Sequence, residues 1–324
     1  MNAGLLVIIL LLGLAFLGFP IYIALGIGTL AALNMAGMPA LVLPQKLFAG
    51  MNSSSLLAIP FFILAGNIMS RSITVKLIDI ANAIIGWIRG SVAVVTVLAS
   101  ALFGAISGSG VATASAIGGI TIPAMQREGY PSEFSTAIAS ISSILGPIIP
   151  PSITLIVYAS ITNVSVSQLF MGSVIPGILL AGSLIVYALV YGKRKNLPAH
   201  EKQTPKQIGH AFKEGIWALL MPIIILGGIF GGIFTPTEAA AVAVVYALII
   251  SLTVYRDMKL SELPQVFVEA SVSTATIMMM VGLSKASSYV VVTSGLPQQL
   301  LDVFTSITSN RIVILLLLNL LFLI

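Results

Sequence analysis

Two neighbouring stretches decide the fold: SVAVVTVLASALFGAISGSGVATASAIGGITIPAM at residues 91–125 and SSILGPIIPPSITLIVYAS at residues 142–160. Both are apolar enough to enter a membrane, and both are interrupted near the middle, by SGSG at 107–110 and by GPIIPPS at 146–152. A broken helix frees backbone N–H and C=O groups, which find no water in lipid unless the break is buried in protein or lines a cavity. Two breaks that can meet at the bilayer centre are typical of the ion or substrate site of a transporter.

The composition indicates a polytopic membrane protein. Of 324 residues, 58% are hydrophobic and 8% are charged, and the mean hydropathy is +1.10. A soluble domain carries about 25% charged residues. The sequence has no cysteine, which excludes disulfides and thiolate metal sites. The basic residues lie between apolar segments, where membrane orientation accounts for them, so we expect a lipid bilayer and no nucleic acid as partner.

The apolar segments predict the membrane topology. Full spans are predicted at 3–18, 20–37, 55–70, 134–159, 169–192, 216–233, 237–254 and 267–290. Between them, 38–54 is predicted to be a polar connection, 73–88 and 296–308 suit helices lying in the membrane interface, and 312–324 is a final apolar arm. Each arm of 91–126 is shorter than the ~20 residues of a full crossing. We therefore predict a re-entrant helical hairpin that enters and leaves the membrane on one side.

The distribution of basic residues supports the hairpin. The loop at 193–214 is predicted to be cytoplasmic by the positive-inside rule, because it holds Lys193, Arg194, Lys195, Lys202, Lys206 and Lys213. Tracing the spans outward from this loop places on the same side Arg71, Lys76, Arg89, Arg127, Arg256 and Lys259. Only Lys46, Lys285 and Arg311 fall toward the other side, where Lys285 is interpreted as a snorkelling lysine. If residues 91–126 crossed the membrane fully, the orientation of every segment before them would be reversed, and their basic residues would no longer lie on the cytoplasmic side.

Three matches in the same order indicate an internal repeat. Pro20 and Pro236 each open an apolar span, and Leu-Pro-Gln at 43–45 recurs at 263–265. Arg89, before the first hairpin arm, matches Arg311. Because the two halves have opposite predicted orientations, the repeat is predicted to be inverted, an arrangement that builds secondary transporters with a site at the bilayer midplane.

The repeat divides the chain into 1–192, a cytoplasmic basic linker at 193–214 and a second repeat at 215–324. The spans at 1–70 and 216–254 are predicted to belong largely to a scaffold, and 91–159 to a transport domain. The pattern stops in the first arm of a second hairpin, and we expect the sequence to be C-terminally truncated.

The predicted midplane offers oxygen ligands and no charged side chain. None of the ten Asp and Glu residues falls at the centre of a predicted span, and both histidines lie in the basic loop. A proton relay normally requires a carboxylate or histidine at depth. The hydroxyls of Ser107 and Ser109, with the backbone around Gly146, Ile149 and Pro151, supply hard, neutral oxygens that suit an alkali cation. We therefore predict a sodium site.

An anionic substrate is predicted at the same place. Helices beginning after Ser109 and after Pro151 direct their positive N-terminal ends toward one region, which favours a carboxylate. Ser152, Thr154 and Tyr158 lie on or just after the second turn and are predicted to contact the substrate. The alternative is that these glycines and serines only allow close helix packing; packing does not require two broken helices.

Other polar motifs are better explained by structure than by chemistry. Thr-Pro-Thr-Glu at 235–238 has the form of a helix capping box with proline at the first helical position. An enzyme is not predicted, because Ser107 and Ser109 have no membrane histidine to act as base and the ligands of a metalloprotease are missing. A passive channel is an open alternative, although inverted repeats with hairpins favour alternating access.

Several motifs together closely resemble the large membrane subunit of TRAP (tripartite ATP-independent periplasmic) transporters, the DctM type. They are FGAISGSGVATASAIGGITIPAMQREGY at 103–130, GPIIPPSITLIVYAS at 146–160, LFMGSVIPGILL at 169–180 and GGIFTPTEAAAVAVVYAL at 231–248. The resemblance covers the whole chain. It implies an all-α, multi-pass protein of the bacterial inner membrane that works as an elevator-type secondary transporter.

The resemblance also implies a function and partners. It implies sodium-driven import of an organic anion, such as a C4-dicarboxylate, sialic acid or another sugar acid. It implies a DctP-type periplasmic binding protein that delivers the substrate, and a small DctQ-type membrane subunit. Carried over by motif, the sodium ligands are Ser107, Ser109 and the carbonyls of Gly146, Ile149 and Pro151. A sodium/dicarboxylate symporter that needs no binding protein is the alternative. Family members continue through a second hairpin and its partner helix.

Overall fold

A computed structural model describes residues 2–199, 202–308 and 310–323, with the backbone alone for 307 and 321–323. Within these ranges the protein is helical and contains no β-strand. Five of the described helices are long and apolar enough to cross a membrane, and a sixth span results if one bent pair counts as a single crossing. The prediction of an all-α polytopic membrane protein is confirmed.

The first part of the chain forms seven helices and two short turns. The helices are α1 (Ala3–Phe16), α2 (Ile21–Met35), α3 (Val42–Met51), α4 (Ala58–Ile85), α5 (Ser91–Ser107), α6 (Gly110–Thr113) and α7 (Gly119–Arg127). A 3₁₀ turn at Ser54–Leu57 precedes α4, and a π-helical turn at Ala114–Gly118 joins α6 to α7. The second hairpin arm is therefore helical from Gly110 to Arg127, and α3 lies inside the predicted polar connection at 38–54.

The remaining helices follow the predicted spans with shifted ends. They are α8 (Ser132–Ser143), α9 (Leu145–Ile148), α10 (Ile153–Thr162), α11 (Val166–Arg194), α12 (Pro205–Phe230), α13 (Pro236–Ile249), α14 (Leu263–Thr293), α15 (Leu296–Ile307) and α16 (Arg311–Leu323). A π-helical turn at Ile250–Val254 extends α13. Because α12 begins at Pro205, the linker predicted at 193–214 is shorter than expected. Residues 1, 200, 201, 309 and 324 of the predicted segments lie outside the described residues.

Helix α4 differs from the sequence-based prediction. We expected a span at 55–70 to stop at Arg71 and a separate interfacial helix to follow at 73–88, but one helix runs from Ala58 to Ile85. No glycine or proline lies between Gly66 and Gly86 to end it. Arg71 does not stop the helix because its guanidinium has a partner: Nη2 lies 2.9 Å from each carboxylate oxygen of Glu269.

The predicted capping box is confirmed. Thr235 precedes α13, its hydroxyl accepts a hydrogen bond from the Glu238 N–H at 3.3 Å, and the Glu238 carboxylate accepts one from the Thr235 N–H at 2.8 Å. Thr204 and Gln207 form the same reciprocal pair at the start of α12. Each box satisfies N–H groups that have no partner within the helix.

The chain forms two compact units, one comprising Met1–Asn52 with Ala275–Ile324 and the other comprising Ser53–Thr274. In the first unit, Thr29 and Ser287 share a hydroxyl–hydroxyl hydrogen bond of 2.6 Å, and both side chains are buried. These boundaries follow packing, whereas the predicted repeats 1–192 and 215–324 follow sequence order. The repeat division therefore stays a prediction.

Helices α4 and α5 supply much of the core of the second unit. The largest fully buried side chains include Phe62 and Ile68 of α4 and Phe103 and Ile106 of α5. Most residues of α5 are buried, including those of its last turn. The end of this helix is consequently surrounded by protein, which is the condition under which a helix break is tolerated in an apolar environment.

Candidate functional site

The hairpin tip is a glycine turn followed by a capped helix start. Gly108 adopts a left-handed conformation with φ of 60°, and its N–H bonds to the Gly104 carbonyl at 2.9 Å. A Cβ atom at Gly108 would lie 2.7 Å from the Pro151 carbonyl oxygen, so both the conformation and the space require glycine. Ser109 then caps the second arm, its hydroxyl accepting a hydrogen bond from the Ala112 N–H at 3.3 Å.

The second break, like the first, is followed by a helix that a serine side chain caps. Helix α9 ends at Ile148, the next residue Ile149 is extended, and the peptide bond between Pro150 and Pro151 is cis. Ser152 caps α10, accepting a hydrogen bond from the Leu155 N–H at 3.2 Å. Its hydroxyl donates to the Pro147 carbonyl at 2.5 Å. The helical segments on the two sides of this break are bent by 45°.

The structure brings the two breaks together. The Ile153 N–H donates to the Gly108 carbonyl at 3.4 Å. A Cβ atom at Gly146 would lie 2.7 Å from the Ser109 carbonyl oxygen and 2.8 Å from the Thr113 hydroxyl. Four of the predicted ligand residues, Ser107, Ser109, Gly146 and Pro151, therefore lie at one contact between the hairpin tip and the broken helix.

A small group of oxygens is buried at this contact. Ser107 is 2% exposed and Thr113 is fully buried. The Ser107 hydroxyl lies 3.4 Å from the Thr113 hydroxyl and 3.5 Å from the Ser109 carbonyl, while the Thr113 hydroxyl donates to that carbonyl at 2.7 Å. The long distances show that the Ser107 hydroxyl is weakly bonded, because hydroxyl hydrogen bonds usually measure about 2.7–2.8 Å.

The oxygen group carries no formal charge. Its members are hydroxyls and backbone carbonyls, and no carboxylate or histidine is among them. Within the part of the chain that the structure describes, no group of three or more His, Cys, Asp or Glu side chains can hold a metal ion. Neutral oxygens that replace a hydration shell suit a monovalent cation better than a divalent one or a transition metal.

Thr113 was missed by the sequence analysis. It lies four residues after Ser109, so both residues fall on the same face of the second arm. A hydroxyl residue one helical turn beyond a predicted ligand could have indicated from the sequence that Thr113 belongs to the site. The threonine was overlooked because its approach to Gly146 depends on the register between two separate breaks.

The remaining predicted residues do not share one position. The Ile149 side chain packs against α11, where a Cβ atom at Gly177 would lie 2.9 Å from Ile149 Cγ1. Ser152 is fully buried, and its hydroxyl is already used within the protein. Thr154 and Tyr158 are exposed and lie one turn apart on α10. The three predicted substrate residues therefore divide into one buried cap and two exposed side chains.

The start of α10 is also partly satisfied by protein. Its first N–H groups donate to the Gly108 carbonyl and to the Ser152 hydroxyl. The positive helix end thus faces the carbonyl dipole of the hairpin tip. The arrangement fastens the tip to the broken helix and leaves fewer N–H groups for the anion that the sequence predicted there.

Comparison with known proteins gives consistent matches along the chain. The family described as "Tripartite ATP-independent periplasmic transporter, DctM component" matches residues 7–324. The "Uncharacterized protein YgiK" of Salmonella typhimurium is 40% identical over 311 residues, which cover 94% of this chain and 71% of the relative. The "C4-dicarboxylate TRAP transporter large permease protein DctM" of Pseudomonas aeruginosa is 42% identical over 280 residues, 86% of this chain and 66% of the relative.

A third relative bears a different substrate name. The "Sialic acid TRAP transporter large permease protein SiaM" of Vibrio cholerae is 36% identical over 314 residues, which cover 96% of this chain and 74% of the relative. The matched region includes both breaks and the apolar helices around them. The chain belongs to the DctM family of TRAP transporter large permease subunits.

Proposed function

We propose that this protein is the permease subunit of a TRAP transporter that couples the import of an organic anion to the entry of sodium. The observation that carries the proposal is the meeting of the SGSG tip with the GPIIPPS break around a buried group of neutral oxygens. A carboxylate or histidine would be needed for a proton relay, and the oxygen group contains neither.

Sodium is proposed to bind at the oxygen group. Its ligands are the hydroxyls of Ser107 and Thr113 and carbonyl oxygens among Ser109, Gly146, Ile149 and Pro151. The weak hydrogen bonds of the Ser107 hydroxyl support this assignment, because its lone pairs can turn toward a cation at little cost. Compared with the residues predicted from sequence, Thr113 is added. The Ile149 carbonyl stays a proposed ligand, while the Ile149 side chain packs against α11.

Coupling is proposed to act through the contact between tip and broken helix. A cation shared by the two breaks stabilises the conformation in which the tip rests on α9 and α10. A substrate that binds the same conformation is then favoured by sodium, and sodium is favoured by the substrate to the same extent. Thr154 and Tyr158 stay as proposed substrate contacts because both are exposed on one face of α10.

The proposed substrate class is a small organic anion delivered by a periplasmic binding protein. The relatives from Pseudomonas aeruginosa and Vibrio cholerae are named for C4-dicarboxylate and for sialic acid, both of which carry carboxylates. A DctP-type binding protein and a small DctQ-type membrane subunit are the proposed partners. We also propose that the protein is built from inverted repeats and transports its substrate by an elevator movement.

The proposal is tested by solute uptake into proteoliposomes. These contain the protein, its small membrane subunit and the candidate binding protein, with an imposed inward sodium gradient. Uptake of a labelled carboxylate that requires both sodium and the binding protein is the expected result. Sodium-driven uptake without the binding protein identifies a symporter instead, and sodium-independent uptake that follows the solute gradient identifies a channel.

A further inference from the structure

A cavity in the first compact unit combines two lysines with a tyrosine. It has a volume of about 360 Å³ and lies between α3 and α14. Its lining comprises Lys46, Ala49, Gly50, Lys285, Ser288, Tyr289 and Val292. None of these lining residues belongs to the oxygen group at the hairpin tip, and the proposed sodium coupling does not use them.

Two glycines bring the helices close enough for the lysines to share the cavity. A Cβ atom at Gly50 would lie 2.6 Å from Lys285 Cβ, and one at Gly282 would lie 3.0 Å from Leu47 Cγ. Lys46 Nζ lies 4.0 Å from the centre of the Tyr289 ring, a cation–π contact that orders the ammonium. Backbone packing thus places Lys285 against α3, the ring orders the Lys46 ammonium, and both lysines line one cavity.

The surroundings of the cavity are strongly biased toward positive charge. Among the described residues that line it there is no Asp or Glu. In sequence, the ranges 1–52 and 275–324 contain a single acidic residue, Asp302, whose carboxylate accepts a hydrogen bond from Gln298 at 3.0 Å. Two lysines that line one cavity attract an anion, and the Ser288 hydroxyl offers a further donor.

The walls of the cavity favour an amphiphilic anion. Val292 is 63% exposed and Ala49 is also exposed, so apolar surface continues from the lysines outward. Tyrosine and snorkelling lysine side chains are characteristic of the level at which lipid headgroups lie. Basic pockets between membrane helices on the cytoplasmic side bind anionic headgroups, and the same attraction between opposite charges acts at the other membrane surface. We propose that the cavity lined by Lys46, Lys285 and Tyr289 binds the phosphate of an anionic phospholipid, whose acyl chains lie along the apolar wall.

Native mass spectrometry of the detergent-purified protein tests the proposal. Phosphatidylglycerol and phosphatidylcholine are added separately, and the double variant Lys46→Gln/Lys285→Gln is compared with the native protein. We expect the most tightly bound phosphatidylglycerol molecule to bind about thirtyfold more weakly to this variant. Each lysine near an anionic headgroup contributes about fivefold to the affinity, and the variant loses both. Phosphatidylcholine should bind the two proteins equally.

Three controls make the outcome decisive. The variant Lys193→Gln/Lys195→Gln removes the same amount of charge at the end of α11 and should bind phosphatidylglycerol as tightly as the native protein. The variant Lys46→Arg/Lys285→Arg keeps both positive charges in the cavity and should also bind phosphatidylglycerol tightly. Inorganic phosphate at millimolar concentration should not displace the lipid; complete displacement would identify a free-anion site and overturn the lipid assignment. Equal phosphatidylglycerol affinity in the native protein and in the Gln variant would overturn the site altogether.

Discussion

At the scale of single residues, the Ser107 and Thr113 hydroxyls decide whether the tip binds a cation. Both are buried, and both lie close to the Ser109 carbonyl. Ser107→Ala combined with Thr113→Val should weaken sodium binding by about fivefold per lost hydroxyl, since a buried polar contact contributes on the order of 1 kcal/mol. The measurement is the sodium concentration that gives half-maximal uptake, or half-maximal thermal stabilisation of the purified protein.

The control for this pair is Ser183→Ala. Ser183 lies on α11, is exposed and bonds to its own helix at 2.8 Å, so its loss should leave sodium dependence unchanged. A double variant that folds and retains the native sodium dependence would show that the hairpin tip does not bind the coupled sodium.

Gly108 should be the least replaceable residue of the tip. Alanine there must adopt the left-handed conformation, at about 1–2 kcal/mol, and its Cβ would clash with the Pro151 carbonyl at 2.7 Å. Gly108→Ala is therefore expected to lower the midpoint of thermal unfolding and to abolish uptake. The matched control is Gly119→Ala, because Gly119 is helical with open space around it. Similar midpoints for the two variants would contradict the geometry.

Residue types in the breaks were predictable, whereas their partners were not. Glycine and proline act locally, so the sequences SGSG and GPIIPPS were enough to locate the tip and the bend. The burial of Ser152 as a cap depends on where Pro147 lies after the chain has folded. The approach of Thr113 to Gly146 likewise depends on packing between separate helices. Such contacts cannot be predicted from the local sequence.

At the scale of helices, the start of α13 depends on its capping box. Thr235→Ala removes the hydroxyl that accepts from the Glu238 N–H and should destabilise the protein by about 1 kcal/mol. Thr235→Ser keeps the oxygen and should stay close to the native protein. Thermal unfolding at one detergent concentration compares the three proteins. Equal losses for Ala and Ser would show that the methyl group, and not the cap, matters.

Helix α4 shows why charge alone is a poor stop signal. Arg71 was predicted to end a span, and Lys76 to lie on a separate interfacial helix at 73–88. Each has an anionic partner supplied by a distant segment: Glu269 for Arg71 and Asp257, at 3.0 Å, for Lys76. Lys76 also lies 4.1 Å from the centre of the Tyr255 ring. The capping signal at α13 was predicted correctly because it is complete within four residues. The length of α4 depends on tertiary partners.

At the scale of the whole molecule, linkage between sodium and substrate is the strongest consequence of the proposed function. The hairpin and the broken helix are joined by the hydrogen bond from Ile153 to Gly108, and the oxygen group lies at the same contact. Any ligand that prefers the joined conformation must then favour any other ligand with the same preference.

We therefore expect sodium to tighten binding of the transported carboxylate, and the carboxylate to tighten binding of sodium by the same factor. A coupling of about 1–3 kcal/mol corresponds to roughly 5–150-fold. Isothermal titration of the purified protein with each ligand, in the presence and absence of the other, measures both factors. Potassium at equal ionic strength serves as the control. Equal effects of potassium and sodium would show that the linkage is only ionic screening. A factor of one for both ligands would show that sodium and the carboxylate do not share a conformational equilibrium.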